Sequence, residues 1–172
     1  MRESGKSIFK WILYILLLFL FYILQTTPFF LTFWGVKPVL IVPFAVCVSL
    51  FEREVPAAVL GGLAGLLWDF SSGKLIGFNA AIVMACCTAA ALLAMYLVRV
   101  NWLNAVLICG GTMLLHGLVN FILYYAMWGY SDVLQILLRQ ILPTVLLTTL
   151  ISPLMFLLAR KIAAKFNAVV RV

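Results

Sequence analysis

Charge is what this chain has least of. Asp, Glu, Lys and Arg make up 10% of its 172 residues, against about a quarter in soluble domains. It has one histidine and five acidic residues. It also lacks a polar linker, a low-complexity tract, a soluble-looking stretch and a repeat of domain-building length. Hydrophobic side chains take the vacant share, at 66%. A chain this short has too little interior to bury that much apolar surface, so an ordinary soluble enzyme is excluded. Disorder is excluded by the same excess. What remains is an integral membrane protein, with lipid as the apolar surrounding.

Several chemistries are missing their residues. No Gly-x-x-x-x-Gly-Lys-Ser/Thr loop is present to hold a phosphate. His116 has no serine in a nucleophile-like context, since Ser72 and Ser152 lie in neither kind of motif. Cys47, Cys86, Cys87 and Cys109 all sit in apolar runs. Adjacent Cys86 and Cys87 point about 100° apart on a helix and do not clamp one metal. They read as small buried apolar residues. No metal, cofactor or catalytic residue is expected. The net charge of +7 is not a nucleic-acid signature, because no basic stripe interleaves with exposed aromatics.

Hydropathy divides the chain into six apolar segments at about 8–24, 38–51, 56–70, 75–98, 102–128 and 133–159. Together they predict an all-α, polytopic six-helix transmembrane bundle in a single domain, 1–172. The first segment follows Arg2, Lys6 and Lys10, and no small-residue cleavage site follows it, so it reads as an uncleaved anchor. Aromatics between Gln25 and Lys37 suit the headgroup level. The second segment is short for a span of about 20 residues and carries Pro43. If it pairs with the third as a re-entrant element, the crossings fall to five.

Six crossings put both termini on one side. With the termini inside, nine basic residues lie inside and three (Lys37, Lys74, Arg139) outside. That asymmetry predicts cytoplasmic termini in a cytoplasmic membrane. The five-crossing alternative moves the basic tail outside, against the rule.

Ionisable groups within the membrane are functional candidates by default. Asp69 lies near the outer end of segment three and Arg139 about two turns into segment six from the same side, so an ion pair between them is one expectation and separate snorkelling the other. Thr112, His116 and Asn120 recur every four residues on segment five, forming one polar face. Gln140, Thr144, Thr148 and Ser152 form a second stripe on segment six. Two such stripes on consecutive helices are expected to face each other, as interhelical hydrogen bonds or as a polar pocket. Glu52-Arg53-Glu54 is the one tight charge cluster and is expected to meet cytoplasmic partners or anionic lipid. Gly61 and Gly65 have the spacing that lets two helix backbones approach closely, either within the bundle or against a partner.

A run of motifs then sets an order. Gly35-Val36-Lys37-Pro38 opens one apolar helix. Gly61-Gly62-Leu63-Ala64-Gly65-Leu66-Leu67-Trp68-Asp69 closes the next, and Leu75-Ile76-Gly77-Phe78-Asn79 opens the one after. This order and spacing, over about a quarter of the chain, resembles the rod shape-determining MreD family. Val39 departs from the family's usual aspartate after the proline. The resemblance implies a non-enzymatic component of the bacterial elongation machinery, maintaining rod shape and helping organise peptidoglycan synthesis. It implies binding to MreC, a single-span protein with a large outer domain, and action with MreB filaments, RodA and a class B penicillin-binding protein. Helix docking would then use Pro38, Gly61 and Gly65, and Asp69 would order the outer turn with Lys74 and Gly77.

The family is thought to share its fold with the substrate-binding subunits of energy-coupling-factor vitamin transporters, which are the alternative function. Such a subunit docks its partner through a small-x-x-x-small motif in the first helix. Here that helix reads Trp11-Ile12-Leu13-Tyr14-Ile15-Leu16-Leu17-Leu18-Phe19-Leu20, with nothing small. The alternative also needs a polar pocket, for which Asp69, Asn79, His116, Asn120 and Arg139 are candidates.

Overall fold

A computed structural model describes residues 2–27, 37–73, 75–124, 139 and 141–166, with backbone alone for 2–7. The described chain is all helical. Six helices follow one another: α1 (Arg2–Thr26), α2 (Ile41–Ser49), α3 (Glu54–Ser72), α4 (Phe78–Tyr96), α5 (Trp102–Tyr124) and α6 (Leu142–Lys165). All but α2 are long and apolar enough to cross a membrane.

The sixth helix runs further than the expected boundary at 159. Arg160 and Lys161 are helical and Arg160 is exposed; both are good helix formers whose long stems let the charge reach water. The upstream part of that segment, 133–138, lies outside the described residues, as does 125–128 of the fifth.

Every residue from Pro38 to Phe51 is buried. The short α2 is therefore the hub of the bundle, and the longer helices stand around it. α2 has only nine residues, which cover roughly 14 Å. The four residues before it, 37–40, lie outside the helix; Leu40 is already in the αR region, so they add roughly 11 Å at most. Together they approach the ~30 Å of a bilayer core.

Non-helical backbone at such depth is tolerated only where protein satisfies its polar groups. Here it does. Gln25 Oε1, from the end of α1, accepts the N–H groups of Leu40 (3.0 Å) and Ile41 (3.4 Å). Thr148 Oγ1 of α6 accepts the N–H of Val39 at 3.1 Å. Pro43 does not break the helix. It sits in the first turn, where a missing N–H removes a group that has no helical partner anyway.

Aromatic pairs fasten the hub to its neighbours. Phe44 packs on Phe21 of α1 with centroids 5.0 Å apart, and Phe51 packs on Phe156 of α6 at 5.5 Å. Between helices in lipid such packing replaces the hydrophobic drive that water would supply.

The two ends of the bundle are defined by contacts. At one end Lys10 of α1 meets Glu52 in the turn after α2, and Phe9 lies 5.8 Å from Phe166 just past α6. At the other end Gln25 meets the entry to α2, and Phe78 at the start of α4 lies 5.4 Å from Tyr124 at the end of α5.

Candidate functional site

Gly61 and Gly65 lie on the face of α3 that meets α4. A Cβ at Gly61 would stand 2.7 Å from Cys87 Cβ and 2.9 Å from Val83 O. One at Gly65 would stand 2.6 Å from Asn79 O and 2.7 Å from Ala80 N. Real Cβ atoms do not come so close. The glycines let α4's backbone lie directly on α3. They are occupied within the chain, so they do not offer a face to a second protein. Gly117 plays the same part between α5 and α6, where a Cβ would lie 2.8 Å from Ile141 Cγ2.

This close approach positions Asp69. Its carboxylate, 2% exposed, sits over the start of α4. Oδ2 accepts the N–H groups of Gly77 (2.8 Å) and Ala80 (3.2 Å), and Oδ1 that of Asn79 (3.0 Å). The first turn of a helix leaves N–H groups without helical partners and carries partial positive charge. A carboxylate satisfies both. It does so from the preceding helix, because the cap position itself is Gly77 and has no side chain. Gly77 adopts φ 96° and Gly73, just past α3, φ 62°. These left-handed residues turn the chain within five residues, at no Cβ penalty.

The expected Asp69–Arg139 ion pair is not formed. Among the described residues the ion pair is Lys10–Glu52. Asp69 already receives three N–H groups and needs no cation from α6, and Arg139 is exposed, in keeping with snorkelling. Lys74 lies outside the described residues.

A polar cluster lies beneath the same turn. His116 Nε2 is 2.7 Å from Asn79 Oδ1 and 3.2 Å from Asn120 Nδ2. One contact needs a proton on that nitrogen and the other a lone pair, so the tautomer chooses between them. Asn79 Nδ2 donates at 3.5 Å to Ser72 Oγ. The His116 ring stacks on Trp68 with centroids 4.3 Å apart at 25°. The cluster therefore joins α3, α4 and α5.

The partners described for the two polar stripes lie on several elements. Thr112 lies by Cys86 of α4, and His116 turns to α3 and α4. On α6, Thr148 serves the backbone of Val39, while Ser152 O lies 3.7 Å from Cys47 Sγ of α2. α5 and α6 pack directly on each other, with Gly110 against Thr149. Gln140 lies outside the described residues; Thr144 stands nearer the start of α6.

The Glu52-Arg53-Glu54 turn is divided. Arg53 is exposed. Glu52 points inward, 2.6 Å from Lys10 Nζ and 3.4 Å from Tyr14 Oη, with 9% of its side chain exposed. Glu54 begins α3, favourably placed at a helix N-terminus. Only Arg53 of the three is openly displayed.

Removing one member of the buried pair leaves the other charge uncompensated. Lys10→Met is therefore expected to lower stability by about 3 kcal/mol, and Lys10→Met with Glu52→Gln to recover more than half of that. Detergent unfolding with SDS, compared between the single and double variants, measures it. Equal losses in the two would contradict the pairing.

Sequence reasoning missed Gln25, Lys10, Tyr14 and Trp68 as organising residues. Lys10 was counted only as part of the basic flank, although Tyr14 follows it by one helical turn. Gln25 is a lone polar residue ending an apolar run, and nothing local reveals that its partner is fifteen residues on. Pro38 is buried at the entry to α2. Cys47 and Cys109 bring their sulfurs within 3.7 Å across α2 and α5. Among the described residues, no three His, Cys, Asp or Glu side chains gather as metal ligands.

What these residues do is hold helices together. Asp69 and His116 lie under backbone and indole, their polar atoms engaged by neighbours. No curated protein and no solved structure matches the chain, so nothing supports the transporter alternative or its shared fold. A family model described as rod shape-determining protein MreD matches residues 5–166. That match covers nearly the whole chain, far beyond the motif run in its first half. The chain belongs to the MreD family and is a multi-pass membrane protein with a role in rod shape determination.

Proposed function

We propose that this chain works without catalysing a reaction, as a helix-docking subunit of the bacterial cytoplasmic membrane that binds MreC and so helps organise peptidoglycan synthesis. The family match over residues 5–166 carries this reading. MreB, RodA and a class B penicillin-binding protein would act with it, directly or through MreC. The end holding Lys10, Glu52 and the basic residues of α6 would face the cytoplasm, with both termini, as the basic asymmetry favours.

The internal use of Gly61 and Gly65 directs attention elsewhere for the docking face. Gly111 on α5 is exposed, and a Cβ there would meet nothing within 4 Å. Leu107, Leu114, Leu115 and Leu118 around it are exposed as well. A glycine among leucines on a lipid-facing surface lets a partner helix approach closely. Gly111→Phe is expected to leave the fold intact and reduce co-purification of MreC about tenfold, the effect of some 1.4 kcal/mol of lost packing. Unchanged recovery of MreC with Gly111→Phe would remove α5 as the docking face. Failure of the unmodified chain to recover MreC would refute the binding itself.

A further inference from the structure

A cleft of about 480 Å³ opens at the end of the bundle away from Lys10 and Glu52, between the last turns of α1 and α3 and the 37–40 entry to α2. Its size falls in the range of about 300–1,000 Å³ usual for small-molecule sites. Its lining is chemically mixed, in a chain that is 66% hydrophobic.

The donors and acceptors left for a ligand can be counted. Lys37 brings a cation and is exposed. Gln25 lines the cleft, and its Oε1 is taken by Leu40 and Ile41 N–H groups. That fixes the amide and leaves its Nε2 hydrogens as donors. Ser71 and Ser72 donate their hydroxyl protons to Trp68 O (3.0 Å) and Asp69 O (3.1 Å). Ser71 Oγ therefore remains an acceptor, and Ser72 Oγ, which also accepts from Asn79 Nδ2 at 3.5 Å, keeps one lone pair. Trp68 forms a wall held flat by its stack on His116. One cation with an amide donor suits a phosphate ester. Two acceptor hydroxyls suit ligand O–H groups. The residues all sit at helix ends, where lipid headgroups lie.

We propose that this cleft binds a phospho-polyol of the glycerol-phosphate kind, with Lys37 and Gln25 on the phosphate and Ser71 and Ser72 accepting from its hydroxyls. The group is either the headgroup of phosphatidylglycerol or free glycerol phosphate.

The test uses the full chain in mixed micelles of phosphatidylglycerol and phosphatidylcholine, with retained lipid counted by native mass spectrometry. The chain is expected to retain phosphatidylglycerol over phosphatidylcholine. Lys37→Gln should weaken that retention about tenfold, the size expected on losing one charge-assisted hydrogen bond, and Lys37→Arg should preserve it. Ser71→Ala should lower it by a smaller factor. Circular dichroism checks that each variant keeps its helices. If millimolar glycerol 3-phosphate displaces the lipid, the soluble ester is also a ligand; if it does not, the lipid is the source. Equal retention of the two lipids, or retention unchanged in Lys37→Gln, would overturn the proposal.

Discussion

Replacing Asp69 with alanine is expected to be among the most damaging single changes in this chain. The carboxylate accepts three N–H groups at the start of α4, at 2.8, 3.0 and 3.2 Å. Hydrogen bonds to a charged group contribute about 1.5–3 kcal/mol each, and a buried donor left unmet adds its own penalty. The three are not independent, since one side chain makes them all. A loss of about 4 kcal/mol or more is expected for Asp69→Ala. Asp69→Asn keeps one acceptor oxygen and should lose roughly half as much. Unfolding by SDS measures the loss. Amide hydrogen exchange locates it, with protection falling at Gly77, Asn79 and Ala80 before the middle of α4. Unchanged protection at those three amides would show that the cap is not what holds the turn.

Gly65→Leu is the second large effect. A Cβ alone would meet Asn79 O at 2.6 Å and Ala80 N at 2.7 Å, and these are backbone atoms of a helix, with no rotamer to move. The helices must part to admit it. Parting them also lifts Asp69 from the start of α4, one helical turn along. Overpacking commonly costs 1–3 kcal/mol and here the cap loss adds to it, so Gly65→Ala should lose about 3 kcal/mol or more, and Gly65→Leu should not accumulate folded in the membrane. Gly62 is the control. The nearest atom to a Cβ there is Met84 Sδ at 3.7 Å, so Gly62→Ala is expected to change stability by about 0.5 kcal/mol or less. Equal behaviour of the two alanine variants would contradict the close α3–α4 contact.

These two residues explain why part of the site was legible in the sequence. The Gly61-x-x-x-Gly65 spacing is local, and so is the distance from Asp69 to Gly77. Hydropathy likewise marks each helix, because the bilayer sets span length directly. What the spacing did not reveal was the surface that the glycines meet. Small-x-x-x-small states that a backbone approaches closely and is silent on whose. The neighbour is α4, so of the two readings of the motif, partner docking and packing within the bundle, the contacts of Gly61 and Gly65 follow the second. The stripes of α5 and α6 are limited in a related way. Periodicity gives the face on one helix, not the rotation of that helix against its neighbours. The role of α2 as hub was visible only as an oddity, an apolar segment too short to span. The contacts that let it work, Gln25 to Leu40 and Thr148 to Val39, join residues far apart in sequence and carry no local signal.

Assembly with MreC in the rod-shape machinery is the proposed role. The most direct measurement is to recover the tagged protein from its native membrane in mild detergent and identify its partners by mass spectrometry. MreC is expected among them, in a ratio that survives mild washing. Recovery of a transporter coupling subunit with paired ATPases, and no MreC, would contradict it.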